Sequence, residues 1–351
     1  MKIACITDTH FGARGDSAAF ADFFNVFYYE YFFPYLQQNN IKQIIHLGDI
    51  VDRRKYINYV TARHLKKFIE ECHNKNIKLD ILIGNHDTSF KNTNDVNCMN
   101  ELFSHTKYNI SYYSEPQEVV YDGLKIAILP WVCSGNYQQS MEFINKTNAQ
   151  ILFGHLEIQG FEMYKGSYND HGFSPDIFNK FDVVCSGHFH HKSSRGNIHY
   201  LGAPYEMNWS DYNDMRGFHV FDTETRELQF IENPYKIFKK LFYNDEIYPL
   251  EELLQIDDVE GKYVKVVIQS KNNPYWFDLY IDKIEKSGVV DLQVIEDHLN
   301  LDLENDKDII DEAEDTMTIL KKVVDQNEMG VDKKRLESFL RTLYTEALSV
   351  G

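Results

Sequence analysis

The chain is 351 residues long and strongly acidic, with 54 Asp and Glu against 36 Lys and Arg and a formal net charge of −18. That length exceeds one typical domain, so two or three units are expected. The five cysteines are odd in number and form no Cys-x-x-Cys pair, which excludes a disulfide framework and points to reduced thiols in a cytoplasmic compartment. The apolar run before Asp8 is too short for a signal peptide or a membrane span.

Taken in chain order, Lys2–Ile6 predicts a buried strand that leads into Asp8-Thr9-His10. Phe20, Phe23, Phe24, Phe27, Tyr31 and Tyr35 then recur at helical spacing. Such a row could stack single-stranded bases, but the spacing is that of a helix buried against a sheet. A second strand, Ile44–Leu47, ends at Gly48-Asp49, and a helix is expected over Tyr59–Cys72. A third, Leu79–Ile83, ends at Gly84-Asn85-His86-Asp87, with another helix over Asp95–His105. Ile151–Phe153 leads into Gly154-His155, and Val183–Cys185 into Gly187-His188-Phe189-His190.

The order β-α-β-α-β predicts an open sheet, and such sheets bind ligands at the carboxyl ends of their strands. All five polar strings fall there. One Asp-x-His or one Gly-Asp carries little weight, because loops after strands are rich in Gly, Asp and Asn for turn reasons. A lone buried histidine such as His155 is more often a hydrogen-bonded core residue than a ligand. The ordered set is another matter: it supplies the carboxylate, imidazole and amide ligands that a pair of divalent ions ~3.5–4 Å apart requires. His46, His64, His73, His105 and His171 lack such company, and strand-end spacing favours His188 and His190 over His191.

After Asn233 the texture changes. Lys262–Gln269 and Val289–Ile295 predict strands around a helical Trp276–Lys286, a small α/β unit separated from the first by Pro234 to Pro249. Glu296–Asp315 holds ten acids against the single base Lys307 and is expected to be a linker with too few apolar residues to fold alone. Two amphipathic helices follow. Met317, Leu320 and Val324 line the first; Gly330 can end it, Asp332 can cap the next, and Leu336, Phe339, Leu340, Leu343 and Ala347 line the second. Two short helices are marginal alone, so a partner is expected, the alternative being a hairpin folded back on its own chain.

The five strings, in order, resemble those of calcineurin-like binuclear metallophosphoesterases. Within that group the chain is most similar to the nuclease subunit of double-strand-break-repair complexes, the SbcD type, and above all to phage recombination endonuclease subunits. Gly48-Asp49-Ile50-Val51-Asp52, the Phe161–Gly166 stretch, Gly202-Ala203-Pro204, Arg216-Gly217-Phe218 and the helical pair all have counterparts there. The resemblance implies an α/β fold: a four-layer α/β/β/α core over residues 1–235, a small α/β DNA-capping domain over 236–298, an acidic linker over 299–311 and a partner-docking helical hairpin over 312–351.

Carried over residue by residue, it implies that Asp8, His10 and His190 hold one metal, that Asn85, His155 and His188 hold the other, and that Asp49 bridges them. Oxygen ligands mixed with imidazoles suit manganese, with magnesium as the alternative. His86 would stand beside the phosphate and help the leaving oxygen depart, with Asp87 fixing its orientation. Asp52 occupies a place where some archaeal and eukaryotic relatives carry histidine, which leaves the balance of exonuclease and endonuclease activity open. The implied partners are DNA, an SMC-like ABC-type ATPase gripped by the helical pair, and a second copy meeting through Tyr59–Cys72 and Asp95–His105; the bland reading of those helices is that they cover the sheet. The implied location is the cytoplasm, that of a bacterial host if the gene is a phage's.

The net charge sits awkwardly with DNA, since phosphate contacts come from Lys and Arg. Arg53, Arg54, Lys55, Lys91, Lys192 and Arg195 nevertheless flank the strings as candidate phosphate guides, against the plain reading of solvated loop charge. A protein phosphatase is the nearest rival, because Gly48–Arg53 matches the start of the signature Gly-Asp-x-Val-Asp-Arg-Gly. Arg54 in place of the final glycine and Asp87 in place of glutamate count against it. A largely architectural subunit is a third reading, opposed by the complete ligand set.

Overall fold

The computed structural model describes residues 1–164 and 167–296. The acidic linker and the helical pair, with Met317, Leu320, Val324, Leu336, Phe339, Leu340 and Leu343, lie outside the described residues.

Two six-stranded sheets carry the first of two units, which comprises Met1–Met207 and Asp211–Phe238. In the first sheet the strands run in the order Leu228–Glu232, Gly217–Asp222, Lys2–Ile6, Gln43–His46, Lys78–Leu82, Ile110–Tyr113. The last four are mutually parallel, and Gly217–Asp222 pairs antiparallel with Lys2–Ile6. The second sheet has the order Ser193–Arg195, Ile198–Tyr200, Val183–Gly187, Ile151–His155, Leu124–Leu129, Gln117–Tyr121, with four parallel strands between antiparallel edges.

Strand periodicity divides the side chains between two environments. Ile3, Cys5, Ile45, Leu47 and Leu82 from the first sheet share one buried cluster with Ile126, Ile128, Ile151, Phe153 and Cys185 from the second. The alternate residues Ala127, Leu129, Leu152 and Val184 join a different cluster with Ile144 of the helix Tyr137–Lys146. With both faces covered, these strands are mostly apolar, the pattern that made them legible, although Gln43, His46 and Asp80 are buried within them.

The helix Tyr59–Asn74 begins where Asn58 accepts the Thr61 N–H at 2.8 Å, and it buries Leu65, Phe68, Ile69 and Cys72 along one face. The helix expected over Asp95–His105 is shorter, Cys98–Phe103, because Asn97 caps it by accepting the Asn100 N–H at 2.9 Å. The aromatic row is helical but irregular: Ala18–Val26, a wide π turn over Phe27–Phe32, then Phe33–Gln38. Pro34, which has no N–H to donate, lies just after the wide turn. The added residue shifts the buried face from the expected Tyr31 and Tyr35 to Phe32 and Leu36, while Phe20, Phe24 and Phe27 stay buried. Its rings pack on Phe68, Tyr205 and Phe218.

The second unit comprises Asn208–Ser210 and the chain from Lys239 onward. Tyr263–Ser270 and Asp291–Glu296 pair in parallel across the helix Pro274–Lys286, as a β-α-β connection requires. Val264, Val266, Ile268, Phe277, Tyr280 and Ile284 form its core. The stretch between Pro234 and Pro249, expected to separate the units, contains a third strand, Phe238–Asn244. Lys239 and Lys240 interrupt its apolar pattern and hid it. No helix of the described residues is long and apolar enough to cross a membrane, and all five cysteines are unpaired.

Burial pushes His46 and His219 down to about 3. The unfolded chain takes up protons near ~6.5 at these sites whereas the folded one refuses them until far lower. Stability they contribute is therefore fully present above about pH 6.5 and is lost as pH falls toward 3. The urea midpoint of metal-free protein should decline through that window, and His219→Phe should flatten the decline; an unchanged slope would count against the assignment.

Candidate metal centre

The five strings converge at the carboxyl ends of the two sheets. Asp8, His10 and His190 bring one donor atom each within 4.8 Å of one another, and so do Asp49, His155 and His188. His10 Nε2 lies 3.0 Å from His190 Nε2 and 3.9 Å from Asp49 Oδ2, and Asp49 Oδ2 lies 3.3 Å from His155 Nε2. Asn85 Oδ1 stands 2.9 Å from His155 Nε2 and 3.0 Å from His188 Nδ1. A third grouping joins His10 and His86 to Asp52.

Local backbone makes this convergence possible. Asp8, His10, Asp49 and His188 all have positive φ, between 41° and 91°, a conformation that side-chain-bearing residues adopt only under tertiary constraint. Hydrogen bonds supply the constraint: Asp8 N–H donates to Gly48 O at 3.0 Å and His10 N–H to Asp49 O at 3.1 Å. Two glycines are required by close approach. A Cβ on Gly187 would lie 2.0 Å from Thr7 Oγ1, and one on Gly48, at φ 104°, would lie 2.5 Å from His155 Nδ1.

Electrostatics divide the ligands. Burial pushes Asp8 up, and the Asp49 carboxylate adds to that push. Burial acts likewise on Asp49, but the imidazoles of His155, His86 and His10 outweigh it and hold Asp49 well below the usual carboxylate range. Burial opposes charge on His155, yet the Asp49 carboxylate prevails and lifts it to about 9. Burial, reinforced by the neighbouring histidines, pushes His188 down to about 3 and His190 well below the ordinary value. Mixed carboxylate, amide and imidazole donors held this close fit divalent first-row cations, whose charge would relieve the crowding.

Asp87 behaves differently from the expectation that it orients His86. Its Oδ1 accepts the N–H groups of Ile50 and Val51 at 2.9 and 3.2 Å, and its Oδ2 those of Asp49 and Gly84 at 2.8 Å each. It clasps the Gly48–Val51 loop because four buried N–H donors demand an anionic acceptor. The His86 ring is held instead by Asp52, whose backbone O lies 2.5 Å from Nδ1, while the His86 N–H donates to Asp49 Oδ1 at 2.7 Å. His86 Nε2 takes part in neither of these bonds.

Several contributors carry no motif in the sequence. His46 is wholly buried; it accepts the Gly48 N–H at Nδ1 and lies 2.9 Å from Thr9 Oγ1 at Nε2, bracing the loops from behind. Arg216 is 2% exposed and donates to the His190 carbonyl, with Nη2 2.7 Å from both Asp211 Oδ1 and Asp214 Oδ2. His191 turns aside to Asp214 at 2.9 Å and Glu162 at 3.1 Å. Trp131, whose ring lies 5.2 Å from that of His188, sits just past the strand Leu124–Leu129, where the strand-end rule would have found it. Arg216→Met should cost about 3–5 kcal/mol of stability by stranding the buried Asp211 carboxylate and the half-buried Asp214 carboxylate. If His190 is a ligand, the substitution should also weaken metal affinity about 10–100-fold. Urea denaturation and metal titration check both; full affinity would show that His190 needs no such support.

The candidate phosphate guides are not equally available. Arg53 pairs with Asp16 at 3.2 Å and bonds Tyr56, Lys192 lies over the Phe230 ring, and Arg195 lies over Phe161. Arg54 is half-buried, with Nη1 lacking a hydrogen-bond partner. Lys55 and Lys91 are exposed.

Residues 1–192 match the family described as calcineurin-like phosphoesterase. Over its whole length the chain is similar to exonuclease subunit 1 of Enterobacteria phage T4, at 30% identity across 351 residues and 99% of each chain. It is also similar to the SbcD component of the SbcCD nuclease from Staphylococcus epidermidis, at 27% identity over 40% of this chain and 37% of that one. Against the same component from Staphylococcus saprophyticus identity is 23% over 67% of each.

Proposed function

The chain belongs to the calcineurin-like phosphoesterase family, and on that footing we propose that it is the nuclease subunit of a DNA recombination and repair complex. It is a metal-dependent hydrolase of DNA phosphodiester bonds. The observation that carries this reading is the convergence of Asp8, His10 and His190 with Asp49, His155 and His188 at the carboxyl ends of the two sheets. Full-length similarity to a phage exonuclease subunit supports DNA as the substrate.

Asp8, His10 and His190 would hold one divalent ion, Asn85, His155 and His188 the other, and Asp49 both, with manganese the ion best suited to the donors. Bound there, the ions would activate water near neutral pH and offset charge on the phosphate. The chain's residues do the rest. Asp49, strongly acidic in its ring of imidazoles, stays ionised as a ligand. His86, fixed through Nδ1 by the Asp52 carbonyl, presents Nε2 to the leaving oxygen. Lys55 and Lys91 guide the backbone from the rim.

The capping unit orients DNA, and a second copy pairs through the helices Tyr59–Asn74 and Cys98–Phe103, where Tyr59 is 94% exposed. The tail over 312–351 grips an SMC-like ATPase, in a cytoplasmic two-plus-two complex. Deleting Glu312–Gly351 is expected to abolish ATPase binding while sparing hydrolysis of a small phosphodiester; unchanged co-purification refutes the docking. The decisive assay is manganese-dependent cleavage of linear duplex and single-stranded DNA, with and without the ATPase, beside a phosphopeptide control. Phosphopeptide turnover with inert DNA would move the assignment to a phosphatase.

A further inference from the structure

Beside the His155–His188 side of the centre lies a cavity of about 340 Å³ whose walls include Trp131, Tyr137, His155, Glu157 and Phe173. Its size falls in the range of small-molecule sites, roughly 300–1,000 Å³. Three aromatic rings stand around it, and none of them is needed to hold a metal. Tyr137 and Phe173 are stacked, with centroids 6.2 Å apart and planes 14° from parallel, and Tyr137 is 53% exposed. The Trp131 ring lies 5.2 Å from His188 and 6.2 Å from His155, and its buried indole N–H has no hydrogen-bond partner.

The walls are tied to the strand ends that carry the candidate ligands. The Trp131 backbone N–H donates to Ile83 O at 2.8 Å, two residues before Asn85, and Asn94 and Asn136 donate to the Trp131 carbonyl at 2.8 and 3.0 Å. Phe173 N–H donates to Glu157 O at 2.8 Å, two residues after His155. The cavity and the metal centre therefore share one scaffold and one side chain, His155.

We propose that this cavity is a nucleobase subsite that takes the unstacked base of the nucleotide whose phosphate lies at the metal centre. The occupant follows from the chemistry of the walls. Aromatic faces stack any base, and the Glu157 carboxylate accepts from an exocyclic amine. A paired base in a duplex cannot enter, so the strand reaches the centre single-stranded or frayed. The proposal rests on the nuclease reading for its phosphate, and on the cavity alone for its base.

The chain has three tryptophans, so Trp209→Phe with Trp276→Phe isolates the emission of Trp131. In metal-free protein of that background, deoxynucleoside 5′-monophosphates should quench Trp131 saturably and deoxyribose 5-phosphate should not. Tyr137→Ala should weaken the nucleotide response about tenfold. With metal, an oligonucleotide abasic beside the scissile phosphate should show a KM about tenfold above its intact counterpart, and Tyr137→Ala should bring the ratio near one. Equal quenching by the sugar phosphate, or nucleotide binding indifferent to Tyr137→Ala, overturns the subsite. Base-dependent quenching in a protein that cleaves no oligonucleotide upholds the subsite and sinks the nuclease reading instead.

Discussion

His86→Ala should lower turnover on DNA by about 10²–10⁴-fold, the range for losing a general acid, while metal stoichiometry stays that of the parent. The two readouts separate because of how the residue is anchored. Its backbone N–H, which the substitution keeps, donates to Asp49 Oδ1, whereas its ring touches the Asp52 carbonyl and packs edge-on to His10 at 4.9 Å. Removal of the ring thus leaves the Asp8–His10–His190 and Asp49–His155–His188 groupings intact and takes away the nitrogen that, in the proposed mechanism, meets the leaving oxygen. Manganese titration and steady-state cleavage measure the two effects. Parental turnover in the variant would remove His86 from the mechanism, and lost metal would reclassify it as a ligand.

A comparable loss, with a different cause, is expected from Asp87. Asp87→Ala strands four backbone N–H groups, those of Gly84, Asp49, Ile50 and Val51. Each unsatisfied buried donor costs about 1–3 kcal/mol, so even with water entering the gap the loss should reach at least about 3 kcal/mol. Asp87→Asn discriminates between a clasp and a catalytic acid. Both carboxylate oxygens accept two N–H groups, so an amide nitrogen at either place faces donors with donors. The asparagine variant should therefore lose nearly as much stability as the alanine variant, by urea denaturation of metal-free protein, and its metal affinity should fall as the Gly48–Val51 loop loosens. An asparagine variant as stable as the parent but inactive would return Asp87 to the chemistry.

The placement of the centre at strand ends was legible in the chain because it depends on local pattern. Short runs of Ile, Leu and Val close to strand length, four of the five closed by Gly and a polar residue, announce buried strands and the loops after them. The aromatic helix was legible as core for the same reason, up to the wide turn at Phe27–Phe32 that moved its buried face by one residue. No periodicity predicts an inserted residue when propensity on both sides is helical.

Which partner each polar side chain takes is another kind of fact. Adjacency in the chain pairs Asp87 with His86, but three of its four donors lie 36 to 38 residues away. His46 has no motif around it and braces two site loops; Arg216 reaches the carbonyl of His190 from 26 residues beyond it. Sequence by itself determined the five strands that lead into the site and the inventory of donors at their ends, because hydrophobic period and turn chemistry act over a few residues. Tertiary structure alone decided the hydrogen-bond partners, the left-handed backbone at Asp8, His10, Asp49 and His188, and the cavity beside Trp131. Those features arise where loops from two sheets meet, and buried donors there take the nearest acceptor in space, whatever its distance along the chain.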